Sequence, residues 1–247
     1  MMKSLAAVVA LTLTCCALTS CGKADPGSSL TVFAAASLKK SFEEIGKDFE
    51  EETGTAVALN FAGSSGLVEQ MKSGAPAQVF ASADEPTMDT ASQAGLVHDP
   101  RIFATNTLTI AVPRGNPANI TGLEALSRPG VKVAVCAPAV PCGNATRKLL
   151  SRRGVPLKPA TEESKVTAVL TKVESGQVDA GLVYVTDARA SDKVEAVDLP
   201  QVGAVVNRYP IAVTSQGEKT ASAAQFVEFV LSERAQQVLQ SNGFGQP

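Results

Sequence analysis

The order of hydrophobic and polar positions along the chain switches repeatedly between a strand pattern and a helix pattern. The first strand is predicted over Leu30–Ala35, a mostly apolar run of strand length. From Ser37, apolar residues recur every three or four positions as far as Phe49, which predicts a helix with one buried stripe. Gly54 lies just past that stripe and suits the left-handed turn that ends many helices. The folded part of the chain therefore opens with a strand followed by a helix.

The same alternation continues almost to the C terminus. Further strands are predicted over Val57–Ala62, Val79–Ala83, Leu108–Val112, Val131–Cys136, Ala180–Val185, Val194–Leu199 and Val205–Val213. Further helices are predicted near Leu67–Gly74, from Pro86, near Leu123–Leu126, and over Asn144–Arg153, Ser164–Glu174 and Thr220–Gln240. Strands that alternate with helices indicate mostly parallel sheets. Two such sets predict an α/β fold of two lobes with a ligand crevice between them, and one large sheet is the alternative.

The N-terminal segment has the pattern of an export signal. A basic start at Lys3 is followed by the apolar run Leu5–Leu18, which is shorter than the roughly 20 residues needed to span a bilayer. Small residues precede Cys21, as in a bacterial lipobox, so we expect residues 1–20 to be a signal peptide and the Cys21 sulfur to be lipidated. The alternative is an ordinary signal peptide that contains cysteine. Residues 21–29 are rich in Gly, Pro and Ser, which predicts a flexible tether.

Charge and histidine content exclude several classes of function. The net charge is −2, and the sequence has no basic block, so we do not expect nucleic acid as a partner. His98 is the only histidine, and one imidazole without clustered partners cannot build the usual zinc or manganese site. It lies in Val97–Pro100, which reads as a surface loop, so a Ser-His-Asp triad is also disfavoured.

After removal of the signal and use of Cys21 for lipid, two cysteines remain. Cys136 and Cys142 are separated by a short loop, and disulfides persist in exported proteins. We therefore expect a Cys136–Cys142 disulfide, and a pair of buried thiols is the alternative. The sequence has no CxxC motif, so redox catalysis is not expected.

Several junctions between strands and helices share one composition. Small or hydroxyl residues stand at Ala34–Leu38, Gly63–Leu67, Pro141–Asn144 and Ser164–Thr167. Free backbone N–H groups and the positive end of the helix dipole favour an anion at such positions. In the alternative interpretation, Ser37, Ser64 and Ser65 only cap their helices. Composition alone therefore indicates an anion site without establishing it.

Five segments together resemble the periplasmic molybdate-binding proteins of ABC transporters. They are VFAAASL at 32–38, FAGSSGL at 61–67, GAPAQVFASAD at 74–84, VPCGNAT at 140–146 and GLVYVTDA at 181–188. Their order and spacing match that family over nearly the whole mature chain. The two cysteines around VPCG are most similar to the actinobacterial lipoprotein branch.

The resemblance implies the type II periplasmic binding protein fold, with mixed sheets flanked by helices and a ligand cleft between two lobes. Lobe 1 is expected to comprise residues 30–107 and 209–247, and lobe 2 residues 108–208. Two strands, near Leu108 and near Tyr209, are expected to cross between the lobes.

The resemblance also implies a set of binding residues. Ser37 and Ser64 would each contribute a hydroxyl and a backbone N–H group from lobe 1. The backbone N–H groups of Cys142 and Val166, and the hydroxyl of Tyr184, would contribute from lobe 2. Many members of the family have Ala in place of Cys142, a change that keeps the backbone donor.

One position departs from the family pattern. Others have a third serine where this chain has Gly63, which leaves open whether Ser65 assists Ser64.

The implied function is capture of molybdate or tungstate outside the cytoplasmic membrane and delivery to an ABC permease driven by its ATPase. Nothing is transformed chemically, so the protein is not expected to be an enzyme. No cofactor or metal is expected, because molybdenum enters only as the oxyanion. We expect a monomer that the lipid anchors to the outer face of the cytoplasmic membrane.

Three alternatives remain at this point. The first is a binding protein of the same fold for sulfate, phosphate or another oxyanion. The second is an exported serine hydrolase that uses Ser37 or Ser64, which the single histidine argues against. The third is a structural lipoprotein in which every serine at a junction is only a cap.

Overall fold

The computed structural model describes residues 29–199 and 205–247. The predicted signal peptide, Cys21 and all of the predicted tether except Ser29 lie outside the described residues. Within the described residues, no helix is both long enough and apolar enough to cross a membrane.

The described residues form nine strands and eight α-helices. The strands are β1 (Leu30–Ala35), β2 (Val57–Ala62), β3 (Val79–Ala81), β4 (Val97–Pro113), β5 (Val133–Cys136), β6 (Thr161–Glu163), β7 (Ala180–Tyr184), β8 (Val194–Val197) and β9 (Val206–Thr214). The helices are α1 (Lys39–Thr53), α2 (Ser64–Lys72), α3 (Glu85–Gln93), α4 (Pro141–Arg153), α5 (Val166–Glu174), α6 (Val185–Arg189), α7 (Ala221–Leu231) and α8 (Glu233–Ser241). Short 3-10 helices cover Ala36–Leu38 and Glu124–Ser127.

The sheet has two parallel parts joined by antiparallel strands. The strand order is β2-β1-β3-β9-β4-β7-β5-β6, and β8 pairs with β4. Strand β1 is parallel to β2 and β3, and β5 is parallel to β6 and β7. Strand β4 pairs with β9 through residues 97–107 and with β7 through residues 108–111, so it runs from one part into the other.

The apolar core is divided in the same way. One cluster of buried side chains contains Ala36 and otherwise only residues between Leu108 and Val205. The other two clusters lie within residues 30–104 and 209–244. The predicted stripe of α1 is buried, and its phenylalanines Phe42 and Phe49 pack edge-on against Phe226 of α7 at centroid distances of 6.1 and 5.2 Å.

The predicted loop at Val97–Pro100 is wrong, because this segment is the start of β4. Asp99 takes a positive φ of 47°, and the pairing with β9 shifts register between His98 and Arg101. Aspartate and proline both disfavour a strand, and a bulge of this kind accommodates Asp99 and Pro100 within β4. His98 is exposed, as expected, and its Nε2 atom lies 3.0 Å from Glu218 and 3.1 Å from Ser215.

Several helix boundaries also differ from the prediction, and two of the differences have a clear cause. Helix α4 begins at Pro141 rather than Asn144, because the fixed φ of proline suits the first helical position. Cys142 therefore lies in the first turn of α4. The predicted C-terminal helix is broken at Ser232, whose side chain accepts a bond from the Ala235 N–H group and starts α8.

Candidate functional site

A small, partly open cavity lies between the two parts of the sheet. Its volume is about 20 Å³, counted as the space open to the centre of a water molecule. It is lined by Ala35, Ala36, Ser37, Gly63, Ser64, Ala83, Val140, Pro141, Cys142, Lys165, Val166 and Tyr184. All five binding residues expected from the resemblance are in this group. The structure therefore brings them to one place, and their role in binding stays a prediction.

The starts of four helices meet at this cavity. They are the 3-10 helix that leads into α1, then α2, α4 and α5, and residues at the first turn of each line the wall. None of the four has a side chain capping its N terminus, whereas Asp84 caps α3 and Ser232 caps α8. At the start of α6 the Asp187 side chain accepts from the Tyr184 N–H group. Helix α7 also starts without a side-chain cap, so the four starts are distinguished by their convergence on one cavity. Free N–H groups and four helix dipoles make this cavity suited to an anion.

The hydroxyl of Ser64 is oriented by a hydrogen bond from the backbone of Ala83. Ser64 is the first residue of α2 and is 1% exposed. Its Oγ atom accepts a hydrogen bond from the Ala83 N–H group at 3.0 Å. That bond occupies one of the two lone pairs of the oxygen, so the hydroxyl hydrogen points away from Ala83 and can donate to a ligand. Ser64 is thus not the helix cap that the alternative interpretation requires.

Ser37 contacts a tyrosine instead of capping a helix. Its Oγ atom lies 3.0 Å from the hydroxyl of Tyr209 on β9. Burial raises the pKa of Tyr209, and the hydrogen bond to Ser37 opposes part of that rise. Tyr209 therefore keeps its proton at neutral pH and can exchange hydrogen bonds with Ser37 as a neutral group.

Tyr184 ends β7, and its ring is 1% exposed. Its hydroxyl accepts a hydrogen bond from Nδ2 of Asn207 at 2.8 Å. Burial raises the pKa of Tyr184 well above its ordinary value of 10, and the nearby Tyr209, Asp84 and Asp187 raise it further. The Tyr184 hydroxyl is therefore a neutral donor group in the wall of the cavity.

Cys142 is bound to Cys136 by the expected disulfide, which spans a Cα–Cα distance of 5.8 Å. The bridge joins the end of β5 to the first turn of α4, and both residues are buried. It holds the start of α4, with the Cys142 N–H group, against the sheet.

Two contacts beside the cavity join residues of the two sheet parts. An added Cβ atom on Gly63 would lie 2.3 Å from the carbonyl oxygen of Ser164, so the absence of a side chain permits this close approach. Ser65 donates to the carbonyl oxygen of Ala139 at 2.6 Å. Ser65 is thus engaged across the cleft and is not one of the residues that line the cavity.

The cavity wall is neutral apart from Lys165, whose side chain is exposed. The buried carboxyl groups of Asp84 and Asp187 are not in the wall. His98 is not in the wall either, so the hydrolase alternative has no imidazole beside Ser37 or Ser64. No group of His, Cys, Asp and Glu in residues 29–199 and 205–247 is arranged to hold a metal ion.

Sequence reasoning missed the residues behind the wall. The Tyr184 hydroxyl bonds to Asn207, and the Ser37 hydroxyl bonds to Tyr209, which in turn contacts Asn106. The peptide groups of Ala83 bond to both Ser64 and Asn207. These residues could not be recognised from the sequence, because two asparagines and a tyrosine in extended segments form no known motif. Strands β4 and β9 contain other polar residues as well, so the two asparagines do not stand out in the sequence.

Two sheet parts joined by β4 and β9, with a cavity between them at helix starts, define a periplasmic binding protein fold. The family model for bacterial extracellular solute-binding proteins matches residues 30–245. The molybdate-binding protein ModA of Mycobacterium tuberculosis is 45% identical over 243 residues, covering 93% of each chain.

Two solved structures share the fold. The periplasmic molybdate-binding protein of Azotobacter vinelandii has a TM-score of 0.78 at 21% identity, covering 89% of this chain and 100% of the other. The sulfate-binding protein SubI of Mycobacterium tuberculosis has a TM-score of 0.76 at 23% identity, covering 88% and 86%. The chain belongs to the bacterial extracellular solute-binding protein family. It is therefore an extracytoplasmic binding protein and not an enzyme, as the sequence predicted.

Proposed function

We propose that the protein binds molybdate or tungstate in the cavity and delivers it to the permease of an ABC importer. The observation that carries this proposal is the composition of the wall, which offers hydroxyl groups and backbone N–H groups but no carboxylate. The kinship with ModA of Mycobacterium tuberculosis supports molybdate as the ligand. The permease and its ATPase follow from the role of such binding proteins, and we propose no cofactor.

The proposed donors are the hydroxyl groups of Ser37, Ser64 and Tyr184 and the backbone N–H groups of Cys142 and Val166. A net hydrogen bond to a charged group is worth roughly 1.5–3 kcal/mol, so several that converge on one cavity can hold a dianion without a cationic partner. The helix dipoles add to this attraction.

The size of the cavity supports a tetrahedral oxyanion. A sphere of the measured volume has a radius of about 1.7 Å, and this is the region open to atoms of about the size of water. That radius is on the scale of the distance from the central atom to an oxygen in such an anion. The cavity is therefore of the order of size of one small oxyanion.

Sulfate is the alternative ligand in this fold. The likeness to SubI concerns the fold alone and does not favour it. We expect a smaller oxyanion to reach fewer of the donors and to leave some of them unpaired, which costs affinity. Hydrogen phosphate fits less well, because its O–H group would meet donors only.

We further propose that residues 30–107 and 209–247 form one lobe and residues 108–208 the other, and that the lobes close on the ligand. The split of the apolar clusters supports this division. The contacts of Gly63 and Ser65 across the cleft would then form on closure. We propose a monomer.

Export and lipid anchoring at Cys21 are a separate proposal, which rests on the N-terminal sequence. Replacing Cys21 with Ser in the full chain, expressed in a bacterium that processes lipoproteins, should release the protein from the membrane fraction. Retention of the Cys21→Ser variant in that fraction would contradict the anchor.

The test of the ligand is calorimetric titration of residues 30–247 after unfolding and refolding to remove bound ligand. Molybdate and tungstate should each bind tightly with one site per chain, while sulfate and phosphate give little heat. Tight binding of sulfate instead would keep the anion site and reject molybdate. No binding of any of the four would reject the proposal.

A further inference from the structure

Two asparagines lie side by side on the strands that cross between the two sheet parts. Asn106 on β4 and Asn207 on β9 are direct partners in the antiparallel pairing. Both side chains are buried, and neither is among the residues that line the cavity. Each amide reaches a tyrosine: Nδ2 of Asn207 lies 2.8 Å from the Tyr184 hydroxyl, and Nδ2 of Asn106 lies 3.5 Å from the Tyr209 hydroxyl.

The orientation of each amide is fixed by a second bond. Nδ2 of Asn207 also donates to the carbonyl oxygen of Ala83 at 2.9 Å. Oδ1 of Asn106 accepts from the Thr107 N–H group at 2.9 Å, so its Nδ2 faces Thr186 and Tyr209. A carbonyl oxygen only accepts and a backbone N–H group only donates, so neither amide can be reversed.

These orientations decide which way the hydroxyl hydrogens point. An amide nitrogen has no free lone pair, so the oxygens of Tyr184 and Tyr209 must accept from it and their own hydrogens must go elsewhere. Tyr184 lines the cavity, and Tyr209 has Ser37 within 3.0 Å. We propose that Asn207 and Asn106 are positioning residues that make Tyr184, and through Tyr209 also Ser37, donate their hydrogens into the cavity.

This inference rests on the proposed function, and it attributes part of the selectivity for an unprotonated oxyanion to the two asparagines. Ser64 is set in the same sense by the Ala83 N–H group. The hydroxyl groups of Ser37, Ser64 and Tyr184 then point their hydrogens at the ligand, which suits an oxyanion that carries no proton. A ligand with an O–H group, such as hydrogen phosphate, needs a hydroxyl that can turn round and accept. The two asparagines prevent that reversal.

The test begins with Asn207→Leu, which has a similar volume and no donor. Without the amide, the Tyr184 hydroxyl can point either way, and we expect the Kd for molybdate to rise about tenfold, the equivalent of one net hydrogen bond. Asn106→Leu should raise it about threefold, because its bond to Tyr209 is longer. Asn60→Leu removes an amide that bonds to Gln70 at the surface and should leave the Kd unchanged.

A double-mutant cycle separates positioning from general damage. In the Tyr184→Phe background, Asn207→Leu should have no further effect on Kd, because the group that it orients is gone. Likewise, Asn106→Leu should have none in the Ser37→Ala background. Additive effects in both cycles would overturn the proposal. If Asn207→Leu does not fold, Asn207→Ser, with the same Tyr184→Phe partner, gives the same comparison.

Selectivity provides a second readout. Loss of either amide should lower the ratio of molybdate affinity to hydrogen phosphate affinity by about tenfold. The freed hydroxyl can then accept a hydrogen bond from the O–H group of the phosphate. A purely structural defect would lower the affinity for both ligands equally. An unchanged ratio of the two affinities would therefore refute the inference. A wild-type protein that binds neither molybdate nor tungstate would instead refute the proposed function.

Discussion

A methyl group at position 63 should keep the cleft from closing. The backbone at Gly63 has φ −62° and ψ 136°, which alanine adopts without strain, so Gly63→Ala adds only bulk. The added Cβ atom would lie 2.3 Å from the carbonyl oxygen of Ser164 and 3.4 Å from a methyl group of Val140. The first of these is a backbone atom of the opposite sheet part, so the clash cannot be relieved by turning a side chain.

The size of the effect follows from that distance. Ordinary contact begins at 3.4 Å, so the two sides must part by about 1.1 Å. A hydrogen bond of about 2.9 Å stretched by that amount is lost. Loss of the two backbone donors proposed at Cys142 and Val166, at roughly 1.5–3 kcal/mol each, weakens molybdate binding by about 3–6 kcal/mol. The Kd should therefore rise by roughly two to four powers of ten.

The assay is calorimetric titration with molybdate, beside thermal unfolding with and without ligand. Gly66→Ala is the matched control, because it lies three residues further on, in the first turn of α2, and an added Cβ atom there has no neighbour within 4 Å. It should bind like the wild type and unfold at a slightly higher temperature, since alanine favours a helix over glycine by about 1 kcal/mol. Gly63→Ala should lose most of the ligand-induced rise in unfolding temperature. Wild-type affinity in Gly63→Ala would refute the steric reasoning.

Three further predictions concern the site and its support. Ser37→Ala and Ser64→Ala should each weaken molybdate binding by about 1–3 kcal/mol in titrations, with unchanged circular dichroism. Reducing the Cys136–Cys142 bridge should lower the free energy of unfolding by about 2 kcal/mol in urea, because the loop that it closes is short. Burial raises the pKa of Asp187 from 3.8 to about 7, so the folded protein holds a proton there that the unfolded chain releases, and stability should fall as pH rises from about 4 to about 7.

Each of these predictions has a control. Ser92→Ala removes a hydroxyl that bonds within α3 and should not change binding. Reductant should have no effect on a double variant with serine at 136 and 142. Asp187→Asn should flatten the fall in stability between about pH 4 and about pH 7, whereas the exposed Asp89→Asn should keep it. An equal slope in both aspartate variants would show that other groups cause it.

The helical stripe and the alternation of strands and helices could be predicted, because burial of one face leaves a period in the sequence. The buried positions of Phe42 and Phe49 follow from it. The extended start of β4 could not be predicted, since Asp99 and Pro100 disfavour a strand unless a bulge provided by the partner strand accommodates them. Ser232 likewise reads as one polar position within a helix, and only its bond to Ala235 shows that a new helix starts there.

The cavity wall could be anticipated because helix starts after strands share a recognisable composition and because five segments matched a family. The supporting residues could not. Asn106 and Asn207 are about a hundred positions apart, and their pairing depends on the register of two strands. Register is a property of the assembled sheet, so no local pattern near either asparagine indicates which hydroxyl it holds.

The four uncapped helix starts affect how ligand preference can change during evolution. A donor that belongs to the peptide backbone survives almost every substitution of the side chain at its position. Mutation can therefore alter the identity of the lining side chains while leaving much of the anion attraction intact. A new preference would have to arise by shifting the helices relative to one another, through positions such as Gly63 that set their spacing. Selection for a different anion would then act on the distance between the walls more than on the residues that touch the ligand.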